Sequence, residues 1–121
     1  MIYEDAVIKI TSLRLRTYIG FKPEELEKKQ DVVINAEVRY PAKNACQTDS
    51  ELNALDYKVI TKGIIHLVET GRFKLLEKMT ADVLEFIMQD EQVSAAKVTI
   101  EKPHALRFSD SVSLTLSASK T

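Results

Sequence analysis

Apolar residues alternate with polar ones from Ala6 to Ile19, and again from Asp31 to Arg39, where Val32, Ile34, Ala36 and Val38 interleave with Val33, Asn35, Glu37 and Arg39. A period of two predicts half-buried strands. The period then changes. From about Asn53 to Glu69, Leu55, Val59, Ile60, Ile64, Leu67 and Val68 recur at helical spacing, as do Leu76, Met79, Val83, Phe86 and Ile87. Alternation returns with Ala96, Val98 and Ile100, and then with Val112, Leu114, Leu116 and Ala118. The order strand, strand, helix, helix, strand, strand predicts an α+β layer: an antiparallel four-stranded sheet with two helices on one face.

The other face would carry Asn35, Glu37, Arg39, Lys97, Thr99, Glu101, Ser113, Thr115 and Ser117, and so be wet. Four open strands leave two edges with unpaired amides and carbonyls. Two arrangements answer that: closure with other copies into a barrel with a polar lumen, or a monomer with charged, blunted edges. With 121 residues, no repeat and no linker-like run, the chain reads as one domain over 1–121.

Charge narrows the partners. The 17 basic and 18 acidic residues mix along the chain, which gives no broad field for nucleic acid or an anionic membrane. MIYEDAVIKI lacks the basic start and long apolar run of a secretory signal, and no stretch has membrane-spanning length. With a single cysteine, Cys46, a cytoplasmic protein is expected. His66, His104 and Cys46 lie in separate segments, so no metal site is expected, and His66 and His104 read as structural histidines. The glycines at 20, 63 and 71 stand too far apart for a phosphate-cradling loop or dinucleotide fingerprint.

Polar residues at element boundaries remain as carriers of chemistry. Glu77, in LLEKMTADVLEFI, falls near the start of the second long helix, where the dipole favours a carboxylate. It serves there as a helix-start acid, or as acceptor of paired hydrogen bonds from the amidine-like edge of a guanine or pterin ring. Lys102 ends the third strand before Pro103, Glu25 occupies the loop KPEELEKKQ, and Tyr57 opens the first long helix after LD. Each also has an ordinary reading as a solvated side chain.

Taken in order, LRLRTYIGFKPEELEKKQDVVIN, ALDYKVITKGI, RFKLLEKMTADVL and EKPHALRFSDSVSLTL resemble the dihydroneopterin aldolase family over about Ile8 to Ser117. The resemblance implies the tunnelling fold, in which four subunits join sheets into a barrel, two rings stack into an octamer, and active sites lie between subunits. It implies a reduced pterin as substrate and neither metal nor organic cofactor, because the ring itself accepts electrons through N5. By the match, Glu77 anchors the pterin with the Leu76 backbone, near Leu55; Lys102 is the acid–base group; Glu25 positions water or tunes the lysine; Tyr57 serves the neighbouring subunit's site. HALRFSDSV and LRLRTYIG resemble the branch that epimerises C2' of dihydroneopterin triphosphate, with Arg107, Arg16 and Lys22 as candidate phosphate partners. The alternatives are the aldolase, releasing glycolaldehyde, and a non-catalytic pterin-binding oligomeric partner.

Overall fold

The computed structural model describes residues 1–121. Five strands, β1 (Ala6–Ile19), β2 (Gln30–Tyr40), β3 (Arg72–Phe73), β4 (Ala95–Lys102) and β5 (Val112–Ser119), form one sheet in the order β3-β1-β2-β4-β5. Helices α3 (Tyr57–Thr70) and α4 (Leu76–Met88) lie against it, and two short helices, α1 (Pro23–Glu27) and α2 (Lys43–Thr48), fill connections.

This corrects the expected four antiparallel strands and two helices. The four long strands do pair antiparallel, but the two-residue β3 runs parallel to the end of β1, pairing Tyr18 with Arg72 and Ile19 with Phe73. Elements of two to six residues carry too few apolar positions to leave a period in the sequence. The first long helix starts at Tyr57, later than Asn53. Asp56 caps it by accepting a 3.0 Å hydrogen bond from the Val59 amide, and Asn53 ends a separate 3-10 turn.

The register explains the layers. Ile34, Ala36 and Val38 of β2 face Ile100, Val98 and Ala96 of β4, which face Leu114, Leu116 and Ala118 of β5. Apart from Leu114, these rows pack with Ile60, Ile64 and Val68 of α3 and Met79, Val83 and Ile87 of α4 in and around one core cluster. Burying such side chains contributes roughly 1.5–3 kcal/mol each. β1 needs one adjustment to join. Its apolar parity changes from Ile8 and Ile10 to Leu13 and Leu15, and a bulge between Ile10 and Leu13 absorbs the extra residue. Ser12 takes φ 54° there, with its amide donating to Asn35 Oδ1 at 2.8 Å.

On the far face the register sets Glu37 beside Lys97 and Ser117, and Asn35 beside Thr99 and Thr115. Lys97 and Glu37 approach to 3.8 Å, and the Thr99 and Thr115 hydroxyls share a 2.7 Å hydrogen bond. The face is polar, as the alternation predicts. β5 pairs on one side only, and Leu114 and Leu116 stay half-buried under incomplete cover. No helix is long and apolar enough to cross a membrane.

Candidate active site

The core-facing rows of β2 and β4 do not end in apolar residues. They end in Gln30 and Lys102, at the edge where β1 leaves the sheet through Gly20. Lys102 continues the row of Val98 and Ile100, so its stem lies along the core and only its head needs a partner. Glu25 supplies it: Lys102 Nζ donates to Glu25 Oε2 at 3.0 Å, with the two side chains 15% and 20% exposed. Gln30 Nε2 donates to the same oxygen at 3.2 Å and to the Ile19 carbonyl at 2.5 Å. The Lys22 amide donates to Glu25 Oε1 at 3.4 Å and the Glu25 amide to the Lys22 carbonyl at 2.9 Å, which ties the carboxylate to the first turn of α1.

This placement depends on Gly20. Its φ of +126° lies where a side chain is strained, and a Cβ there would overlap the Glu25 carboxyl group. The Gly20 amide also donates to the Phe73 carbonyl at 2.8 Å, which fixes the loop against β3. Arg72 holds the other side, stacked 3.8 Å from the Tyr18 ring centroid and donating to the Leu26 carbonyl at 3.2 Å.

Burial alone would raise the Glu25 pKa. The hydrogen bonds from Lys102 and Gln30, the lysine charge and the Lys22 amide outweigh it, so the carboxyl group titrates below its ordinary value of 4.5 and is a carboxylate at neutral pH.

Glu77 and Leu76 reach the same end by another route. β3 leads directly into α4, whose first two residues are Leu76 and Glu77. Leu75 caps the helix without a side-chain hydrogen bond, and the first intrahelical amide donor is Met79, to Leu75. The amides ahead of it have no intrahelical partner, beside an exposed carboxylate. Leu76 is half-buried against the core.

Tyr57 is elsewhere. Thr17 Oγ1 donates to the Val68 carbonyl at 2.6 Å and pins the C-terminal end of α3 to the Gly20 end of β1. Tyr57 begins the same 14-residue helix, about 20 Å away along its axis. It is 52% exposed and lines an open hollow of about 540 Å³ with Leu55, Asp56 and Lys58. Leu55 is buried in the core, and its carbonyl accepts from the Tyr57 amide at 3.0 Å. One chain therefore brings Glu25, Lys102, Leu76 and Glu77 to one end of the sheet and leaves Tyr57 and Leu55 at the other.

Among the candidate phosphate partners, Arg16 is engaged, with Nε 3.3 Å from Asp31 Oδ1 and its guanidinium donating to the Lys29 carbonyl at 3.1 Å. Arg107 sits in the exposed turn after β4, 5.1 Å above the centroid of the Phe108 ring. Lys22 lines a hollow of about 400 Å³ with Glu25, Lys28, Lys29, Gln30 and His104.

Sequence reading did not single out Gly20 and Gln30, which contact the Glu25 carboxyl group, nor the place of His104 at the edge of this hollow. The signals were faint: an isolated glycine closing a strand, a glutamine ending an apolar row, and a histidine after Lys102-Pro103 that side-chain type alone marks as structural. No group of three or more His, Cys, Asp or Glu side chains converges anywhere in the chain.

Comparison with known proteins connects this geometry to a lineage. The family model described as dihydroneopterin aldolase matches residues 8–117. A dihydroneopterin triphosphate 2'-epimerase of Escherichia coli K12 is 51% identical over 112 residues, covering 93% of each chain, and one of Pseudomonas aeruginosa is 50% identical over 111 residues, covering 92% and 90%. A dihydroneopterin aldolase of Haemophilus influenzae is 29% identical over 97 residues, 80% of this chain and 82% of that one. A crystal structure from Vibrio cholerae O1, assigned as a dihydroneopterin aldolase, superposes with a TM-score of 0.92 at 26% identity, over 98% of this chain and 100% of that one. With the family match spanning residues 8–117 and half of the aligned positions shared with each of two relatives, the chain belongs to the dihydroneopterin aldolase family.

Proposed function

We propose that this enzyme inverts C2' in the side chain of 7,8-dihydroneopterin triphosphate, giving 7,8-dihydromonapterin triphosphate. The observation that carries the reading is the 51% identity to a 2'-epimerase across 93% of both chains, against 29% to the Haemophilus aldolase. The residues at the end of the sheet suit the chemistry. Glu77 would accept paired hydrogen bonds from the pterin ring, with the Leu76 backbone beside it, which sets the side chain toward Lys102. Removal of the 2'-hydroxyl proton breaks the C1'–C2' bond. C2' leaves as an aldehyde, the electron pair moves through C1' and C6 to N5, and N5 takes up a proton. Rotation of the aldehyde and attack by C1' on its other face reverse every transfer, so the reaction balances without an oxidant or a second substrate.

Lys102, held at 3.0 Å by Glu25, is the acid–base group, acting through water, and Glu25 sets the position of its ammonium. Tyr57, about one helix length away, manages the C1' proton in the site of a neighbouring subunit. A ring of four chains, two rings making an octamer, would join the free edge of β5 to the exposed edge of β1 and bring Tyr57 and Leu55 of one subunit against Glu25, Lys102, Leu76 and Glu77 of the next. Arg107, Arg16 and Lys22 are the phosphate partners carried from the sequence. We place the reaction in the cytoplasm and assign it no metal or organic cofactor.

An aldolase follows if the aldehyde escapes before re-addition, and the aldolase relatives keep that second reading open. Incubation with 7,8-dihydroneopterin triphosphate, followed by chromatography of the oxidised pterins, separates the two. Monapterin triphosphate as the main product supports the epimerase, and dominant hydroxymethylpterin replaces it with the aldolase.

A further inference from the structure

Bond cleavage in the triphosphate divides the substrate unequally. The pterin keeps C1', while the aldehyde fragment takes C2', C3' and all three phosphates. Whatever holds those phosphates decides whether the fragment stays for re-addition. This inference rests on the epimerase reading and names the device that such a reaction needs.

The hollow beside the Lys102–Glu25 pair has that composition. It is an open hollow of about 400 Å³ lined by Lys22, Lys28, Lys29 and His104, with Glu24, Glu25, Gln30 and Ala105. Its volume is within the range of small-molecule sites. Its acids do not cancel its bases: Glu25 is already paired with Lys102, which leaves Glu24 against three lysines. None of those lysines is held in an ion pair, whereas Arg16, Lys78 and Lys97 are bound to Asp31, Asp82 and Glu37. His104 follows Lys102-Pro103 and lines this hollow and the two adjoining ones, where Arg16 and Arg14 also reach, so it stands at their junction.

We propose that Lys22, Lys28, Lys29 and His104 form a triphosphate tether that holds the cleaved aldehyde beside Lys102 until C1' re-adds to it. In this arrangement Lys28, Lys29 and His104 replace Arg107, on its exposed turn, as the main phosphate contacts, and Arg16 acts at the margin.

The test uses Lys28→Glu/Lys29→Glu and His104→Ala proteins, with Lys62→Glu on the exposed face of α3 as the charge control. Three quantities are read: binding of inorganic tripolyphosphate, the Michaelis constants for dihydroneopterin triphosphate and dihydroneopterin, and the ratio of hydroxymethylpterin to monapterin triphosphate formed from the triphosphate. The tether predicts that the lysine double variant weakens tripolyphosphate binding about tenfold or more, one factor of ten for each 1.4 kcal/mol lost. Its Michaelis constant for the triphosphate rises at least about tenfold more than that for dihydroneopterin, and the product ratio moves toward hydroxymethylpterin. His104→Ala shifts all three in the same direction, and Lys62→Glu shifts none.

Equal rises for both substrates, an unmoved product ratio, or a Lys62→Glu effect as large as that of the double variant overturns the tether. Wild-type protein that cleaves the triphosphate without ever forming the monapterin isomer removes the epimerase reading instead. Tripolyphosphate binding still judges the site in that case, because loss of binding in the double variant upholds the anion site, and unchanged or undetectable binding removes it.

Discussion

The two ends of the sheet are built differently. At the Gly20 end, β1, β2, β3 and β4 converge with α1 and the start of α4, and the more buried polar heads have partners, Lys102 and Gln30 on Glu25, Gln30 on Ile19 and Thr17 on Val68, while Lys22, Lys28 and Lys29 at the rim stay unpaired. At the other end, Tyr57 is exposed beside a shallow hollow with no partner for its hydroxyl. The first end is finished within one chain, since its geometry is set by backbone carbonyls and a positive-φ glycine. The second is left open by the single chain. The proposed shared site would divide in this way, with the groups that must be preorganised on one scaffold and the group that arrives by assembly left open.

The strongest way to break this contrast is to remove the proposed acid–base group. Lys102→Ala is expected to lower turnover by roughly 100-fold to 10,000-fold, the usual contribution of a positioned acid–base group, while pterin binding measured by fluorescence titration persists. Retention of most of the rate would take Lys102 out of the mechanism.

Mixing subunits sharpens the division. Lys102→Ala and Tyr57→Phe proteins, each impaired alone, are expected to regain activity when unfolded and refolded together, because some sites then combine an intact Lys102 with an intact Tyr57. Absence of any recovery in correctly assembled mixtures would place both residues in the same subunit's site.

Gly20→Ala tests the finished end. The added methyl group meets the Glu25 carboxyl group at a backbone φ of +126°, and a strained position of this kind costs about 1–3 kcal/mol. Chemical denaturation is expected to show that loss, together with a fall in turnover larger than that caused by Ala at Gly63, where a methyl group would meet the Phe86 ring far from the carboxylate. Equal turnover in the two variants would show that Glu25 does not depend on Gly20.

Thr17→Val leaves the Val68 carbonyl without its 2.6 Å donor in a buried setting. The expected loss is about 1–3 kcal/mol in a denaturant midpoint at unchanged slope. A neutral result would mean that another contact pins α3 to β1.

The smallest effect is in pH. The folded-state pKa of Glu25 lies below its ordinary value of 4.5, so the stability it contributes is fully present above that value and is lost as pH falls through the lower folded one. Glu25→Gln is therefore expected to flatten part of the acid limb of a stability–pH curve below 4.5 and to leave the neutral-to-basic limb unchanged. A changed basic limb with an intact acid limb would contradict the assignment.

How much of this could be read from residues alone varies with the length of the element. The long strands and helices repeat their period often enough to be read, and Ala36, Val38, Ile60, Val83 and Val98 lie in the core as their spacing requires. The elements α1, α2 and β3 do not repeat, and β3 exists only because the chain after α3 passes beside Tyr18 and Ile19. The β1 bulge lies between: the parity change from Ile10 to Leu13 is visible in the residues, while the compensating Asn35 is not, since it is 23 positions away. Of the site, residue types and order suggested Glu25, Tyr57, Glu77 and Lys102. Gln30 and Gly20 had only faint local marks, a glutamine ending an apolar row and an isolated glycine closing a strand.

By itself, the amino-acid sequence determined the periodicity, the one-sided burial of the sheet and the family, because hydrophobic spacing and shared residues are properties of the chain read in order. Tertiary structure decided which charges meet. Lys102 and Glu25 are separated by 77 positions, and their contact follows from two rows ending at one edge and a glycine that lets the loop fold back. It also decided that Tyr57 stands a helix length from them, since a helix that spans the sheet must carry its first residue to the opposite end.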